Sequence, residues 1–212
     1  MLCRLLLLVV IASAAGTTLA GWLHSMETGQ AAGPQKVVVA VWARLPDYNL
    51  RKVGRGLQVF RQSGAVVSLP GYDFEDALAQ RLVAALGKDK RMEFRVAAAA
   101  DPIQVRPLWE GKQRPSSTLG ADRLLLVSVA EFGAYTEPIG KDRSYLHEAE
   151  ARLIDRVSGN VLWQFQKRWV FLGLGGKISE LENNPDALKA ALNGLLEHFS
   201  REVHQALRKA KL

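Results

Sequence analysis

Cysteine is almost absent from this sequence: Cys3 is the only one in 212 residues, and it lies in the first few positions. Beyond residue 20 there is none, which excludes disulfides and thiolate metal sites from the rest of the chain. Histidine is scarce too, with four residues at His24, His147, His198 and His204. No two stand four apart, so a helix carrying paired imidazole ligands is excluded, and His198 and His204 fall on different faces of one helix. His147 has Glu148 and Glu150 beside it, but strict alternation along a strand sends the imidazole to one face and both carboxylates to the other. No Gly-x-Ser-x-Gly elbow occurs, which leaves serine-hydrolase chemistry without a handle. The stretch Gly173-Leu174-Gly175-Gly176-Lys177-Ile178-Ser179 has the wrong glycine spacing for a phosphate loop, and no Ser or Thr follows the lysine directly. No catalytic residue, cofactor site or metal site is expected, and the chain reads as a non-enzyme.

Charge is missing from residues 5–23, and that stretch is informative. Met1 to Arg4 is a short positive head, an apolar run follows, and small residues lead up to Ala20, which is the layout of a secretory signal. Ala12-Ser13-Ala14 and Thr18-Leu19-Ala20 both offer the small side chains that a signal peptidase reads, with the bond after Ala20 preferred. Residues 5–23 also reach about the ~18 residues needed to span a bilayer, so an uncleaved anchor is the rival reading. Either way residues 36–212 are expected outside the cytoplasm, in the periplasm, after a flexible lead-in over residues 21–35. Cys3 precedes the apolar run, where a lipoprotein acceptor cysteine would follow it. Residues 1–20 hold one basic and no acidic residue, so the remainder keeps 27 basic against 21 acidic residues, a net charge of +6. That excess favours an acidic partner: an envelope protein or complex, anionic lipid, or a cell-wall polymer. The export signal argues against nucleic acid.

With 48% hydrophobic residues the chain can bury a sizeable core. Residues 36–43 and 121–132 carry β-branched and leucine-rich runs suited to strands buried on both faces. Residues 73–86 read as a helix: Asp73 caps it, Phe74, Leu78, Leu82 and Leu86 recur at four-residue spacing, and Gly87 closes it. Residues 93–98 predict a strand, and residues 101–119 an irregular segment with a short helix near 108–113, because of Pro102, Pro107 and Pro115. Trp109 should pack down there. Residues 133–143 read as an exposed turn. Residues 145–155 and 161–172 form a hairpin across Val157-Ser158-Gly159-Asn160. In it Ala149, Ala151 and Leu153 share one face, and Val161, Trp163, Phe165, Trp169 and Phe171 share one parity that Lys167 interrupts. Asn184-Pro185-Asp186 starts a long closing helix on Leu188, Leu192, Leu195, Phe199, Val203 and Leu207. The fold expected is α/β (α+β): one mixed sheet of about five strands plus a small extra hairpin, packed by two main helices.

Residues 44–70 are long for a connection, and they hold that small hairpin, with arms near 57–60 and 65–69. Arg44, Arg51, Lys52, Arg55 and Arg61 there face Asp47 alone, so Tyr48, Arg51, Lys52, Arg55, Phe60 and Arg61 are the candidate partner-binding residues. The bland reading is a solvated, charged loop.

Two patches carry a family resemblance. Gly120-Ala121-Asp122-Arg123-Leu124-Leu125-Leu126-Val127 is similar to a GAD-x-L strand, and Ala151-Arg152-Leu153-Ile154-Asp155 with Ser158-Gly159-Asn160-Val161-Leu162-Trp163 is similar to a hairpin motif. Both belong to a superfamily of bacterial envelope proteins that includes the N-terminal domain of TolB, CsgG and LpoB. The resemblance implies a non-enzymatic part in envelope assembly, secretion or transport, played by protein contact. A fainter likeness, through Leu45-Pro46-Asp47-Tyr48 and the helix from Asp73, is to the auxiliary lipoproteins of ABC-type lipid transporters. It implies a bound lipid or apolar ligand in an open pocket near Trp109 or Trp169.

Overall fold

The computed structural model describes residues 33–45, 47–53, 62–67, 69–101, 103–136, 142–174, 177–181 and 183–210, and only the backbone of 51–53, 62–65 and 180. Contacts divide the chain into Met1–Gly33 and Pro34–Leu212, and the fold is that of the second unit. Its seven strands are β1 (Gln35–Ala43), β2 (Tyr48–Val53), β3 (Gln62–Val67), β4 (Met92–Val96), β5 (Arg123–Thr136), β6 (Asp142–Asp155) and β7 (Val161–Gly173). The helices are α1 (Phe74–Leu86), α2 (Val105–Trp109), α3 (Ile178–Leu181) and α4 (Pro185–Lys209), with a 3-10 turn at Ser117–Leu119.

All seven strands join one mixed sheet, so the extra hairpin is part of that sheet and not an appendage. The leucine-rich β5 is its axis, with Leu124 to Val127 fully buried, as a strand covered on both faces must be. β6 runs antiparallel along its whole length. On the other edge β1 pairs parallel with Arg123–Val129, and β2 then continues, also parallel, along Phe132–Thr136. β4 flanks β1, β3 flanks β2 and β7 flanks β6. Three boundaries depart from expectation, the first being the short helix, which lies at Val105–Trp109 where 108–113 was expected. β5 runs on to Thr136 where a turn from residue 133 was predicted, because β2 and β6 pair with it on both sides. The hairpin of residues 44–70 has its arms at Tyr48–Val53 and Gln62–Val67, where 57–60 and 65–69 were expected, and residues 54–61 lie outside the described residues.

The two long helices are fixed by their ends. Asp73 accepts from the Asp76 N–H at 3.0 Å, and Asn184 from the Ala187 N–H at 3.0 Å with Pro185 in the first turn, so donors left open at each N-terminus find side-chain acceptors. Phe74, Leu78, Leu82 and Leu86 of α1, and Leu188, Leu192, Leu195, Phe199, Val203 and Leu207 of α4, are all buried in one core with the sheet. Each such side chain contributes roughly 1.5–3 kcal/mol of transfer free energy. The hairpin of β6 and β7 turns on Asp155, whose carboxylate accepts the Ser158 N–H at 2.7 Å and its hydroxyl at 2.8 Å. Gly159 supplies the left-handed φ of 74° that the turn requires.

One feature of the sheet was not expected. In β5 the residues facing the helices are Leu125, Val127 and Val129, and then Phe132 and Ala134; in β6 they are Leu153, Ala151 and Ala149, and then Leu146. In β7, Trp163 and Phe165 give way to Val170 and Leu172, and along β1 and β2, Val37 to Ala43 give way to Tyr48 and Leu50. The alternation slips at one level across the whole sheet. In β6 the slip falls on Glu148, the only non-glycine residue at positive φ (46°) among the described residues. Before the slip, the face turned away from α1 and α4 carries a second core of Val38, Ala40, Leu124, Leu126 and Ile154, roofed by Leu108, Trp109, Leu119 and Ala121. The face of β6 that holds Glu150 and Arg152 is therefore covered. Glu150 is 7% exposed, accepting from Arg152 at 2.7 Å and Gln164 at 2.6 Å. Trp109 packs down as predicted, under the Arg152 guanidinium 4.1 Å from its ring centre.

Candidate functional site

The predicted contact residues fare unevenly. The Tyr48 side chain is 1% exposed and packs edge-on to Phe132, whose ring stacks on Phe74 at 3.9 Å. Its parity with Leu50 in β2 turns it into the core, so it cannot grip a partner; burial raises its phenol pKa far above the ordinary value, and its hydroxyl has no hydrogen-bond partner. Arg51 and Lys52 sit on β2, paired with Tyr135 and Thr136 of β5 and with Gly64 and Ser63 of β3. Arg55, Phe60 and Arg61 lie outside the described residues.

Beyond the slip, the face of the sheet turned away from α1 and α4 gathers side chains that period-2 reading did not bring together. Tyr135 of β5, Tyr145 and His147 of β6, and Trp169 and Phe171 of β7 form one cluster. Trp169 stacks on His147 at 4.1 Å and lies parallel to Phe171 at 5.6 Å, and Tyr145 meets Trp169 and Tyr135 edge-on at 5.7 and 6.1 Å. At its foot the Tyr145 hydroxyl donates to Glu131 Oε1 at 2.5 Å. Among the described residues no helix packs over this cluster, and Trp169 remains 40% exposed. His147 therefore shares its face with Glu131 and Glu150, against the sequence expectation, because Glu148 breaks the alternation between them. The imidazole is engaged with the Trp169 ring, and Glu131 and Glu150 accept from other side chains. Among the described residues no three His, Cys, Asp or Glu are grouped to hold a metal.

Lys167, which interrupts the sequence parity, points to the helix side and meets Glu202 of α4 at 3.2 Å, close to the Phe165 ring. Val161, which shares the parity of Trp163 and Phe165, is nonetheless 49% exposed, at the open start of β7. A cavity of about 150 Å³ lies between β2 and α1, lined by Asp47, Tyr48, Val67, Leu69, Tyr72, Phe74 and Phe132. It is at neither tryptophan named as a pocket marker: Trp109 is packed in the second core, and Trp169 stands on an open face.

The site is thus an aromatic cluster across β5, β6 and the edge strand β7, from which Trp169 stands out to solvent. Comparison with known proteins adds the following. No family model matches the sequence, and no curated protein does. Solved structures match over most of the chain. Protein XCC0632 from Xanthomonas campestris is 17% identical, covering 82% of this chain and 85% of that one, with a TM-score of 0.49. The lipoprotein GNA1162 from Neisseria meningitidis is 15% identical over 81% and 99%, with a TM-score of 0.41. The LpoB C-terminal domain from Salmonella enterica is 11% identical over 68% and 89%, with a TM-score of 0.26. These likenesses concern the course of the chain, and the role is drawn from its own residues.

Proposed function

We propose that this chain is an exported, non-enzymatic envelope protein that acts by contact with another envelope protein, in assembly, secretion or transport. The observation that carries the reading is Trp169, 40% exposed yet held between His147 and Phe171. A tryptophan already fixed by stacking loses little freedom on docking and offers a large apolar area with a polar N–H, the profile of an interface anchor. The signal-like head and the envelope-family hairpin motif support the location, the periplasm. The basic arm through Arg51, Lys52, Arg55 and Arg61 supplies a second contact, toward an acidic protein face, anionic lipid or cell-wall polymer. A photo-crosslinking amino acid placed at Trp169 in the native host should give a discrete protein adduct that the same group at the exposed Gln205 does not. Matching patterns at the two positions would sink the proposal.

A second reading, an auxiliary subunit of an ABC-type transport system holding an apolar ligand, is favoured by the cavity beside the unpartnered Tyr48 hydroxyl. Native mass spectrometry of the purified chain should then show a co-purified small apolar mass, lost on Tyr48→Trp; a clean apo mass would exclude it.

A further inference from the structure

The sheet's open edges differ. β4 has five residues, and its own Arg95 is clamped by Asp101 at 2.6 and 3.0 Å, a short and guarded edge. β7 has thirteen residues, pairs only with β6 among the described residues, and leaves its other backbone edge open over roughly 40 Å. Such an edge is a template for another strand unless something blocks it. Val161 and Leu162 near its start are 49% and 38% exposed, and Trp169 beyond its middle is 40% exposed, so apolar grip lies on both sides of the centre. At the centre stand Lys167 and Arg168. Lys167 is taken by Glu202, whereas Arg168 is exposed and, among the described residues, has no acid paired with it.

That central charge decides what can add. A second copy pairing antiparallel about a two-fold axis at this level would set Arg168 against its own counterpart or against Lys167 of the copy, and like charges across strands are destabilising. An extended segment with a carboxylate at the same level meets the opposite sign. Resting on the contact reading above, we propose that β7 is the docking edge for an extended segment of a partner protein. That segment adds as an eighth strand, with apolar residues toward Leu162 and Trp169 and an acidic residue beside Arg168.

The test uses the full chain, immobilised, against a displayed library of strand-length peptides. Enriched peptides should share Asp or Glu at one central position. Arg168→Glu, an exposed change that leaves the core intact, should switch that preference to Lys or Arg and weaken the original peptides about fivefold. Hydrogen exchange with a selected peptide bound should slow β7 amides and leave β4 amides unchanged. A library without enrichment, a central preference that survives Arg168→Glu, protection elsewhere, or dimerisation of the free chain in sedimentation would each overturn strand addition. A crosslink at Trp169 without charge inversion in the library would leave the contact reading standing and remove only this one.

Discussion

Gly133 is where the sheet tolerates no side chain. It pairs with Asn49 as β2 takes over from β1 along β5, and a Cβ built on it would lie 1.9 Å from the Asn49 carbonyl oxygen and 2.8 Å from its carbon. Real Cβ contacts essentially never fall under 3.0 Å, so Gly133→Ala must move one strand by more than an ångström. Both clashing atoms belong to backbone, so no rotamer change relieves the clash. Overpacking of this kind costs about 1–3 kcal/mol. Parting β2 from β5 also gives up ladder hydrogen bonds, at about 1 kcal/mol each. We expect a total loss near 3 kcal/mol, read as a lower denaturant midpoint. The loss should be local in character: amides of β2 and β3 should exchange much faster, while those of α4, across the core, keep most of their protection. A loss below about 0.5 kcal/mol, the range of an ordinary surface change, would refute the close approach and with it the succession of β1 and β2 on one edge.

Other perturbations test the rest. Phe199, fully buried in α4 and 6.1 Å from the Phe165 ring, should cost about 3–5 kcal/mol on truncation to Ala by chemical denaturation; a loss under ~1 kcal/mol would mean that α4 does not pack on β7. Asn184→Ala removes the cap of α4 and should cost about 1 kcal/mol, with Asn184→Asp restoring it. Arg91 holds the Asp89 carboxyl down at about 2, so the folded chain favours its ionised form. The stability this confers is whole above the ordinary carboxylate range and fades as pH falls from about 4 toward about 2, where the unfolded chain takes the proton first. Asp89→Asn should therefore narrow the gap between denaturant midpoints at neutral and acid pH, and an unchanged gap would count against the pairing. Reversing Arg51, Lys52 and Arg55 together to Glu should weaken association with an acidic envelope partner in pull-downs, and full retention would relieve the β2–β3 arm of that role.

Local signals made the helices legible. Asp73 and Asn184 mark both starts, and the four-residue spacing from Phe74 and Leu188 places every buried residue of α1 and α4 that was named from sequence. The stretches of β5 and β7 before the slip and the stretch of β6 after it are equally open to period-2 reading, which is why Ala149, Ala151 and Leu153 share one face from sequence. The candidate site was not legible, and the slip in alternation is the reason. Trp169 and Phe171 share sequence parity with Trp163 and Phe165, so strict alternation sets all four against α4. Nothing near Glu148 announces the break, since it holds its positive φ without a glycine or proline to mark it. Lys167 was the one trace, a cation in an apolar row, and it fits either reading because its stem can reach Glu202. Tyr48 failed for the converse reason. It stands among basic residues in the sequence, yet register along β5 pairs it with Phe132 and turns its ring inward. The slip is therefore what makes the surface. Had alternation held through β6 and β7, Trp169 and Phe171 would lie beneath α4 as further core, and the far end of the sheet would show a partner only its backbone edge. By turning those rings outward on an edge strand, the slip puts an aromatic face and an open backbone edge in the same place.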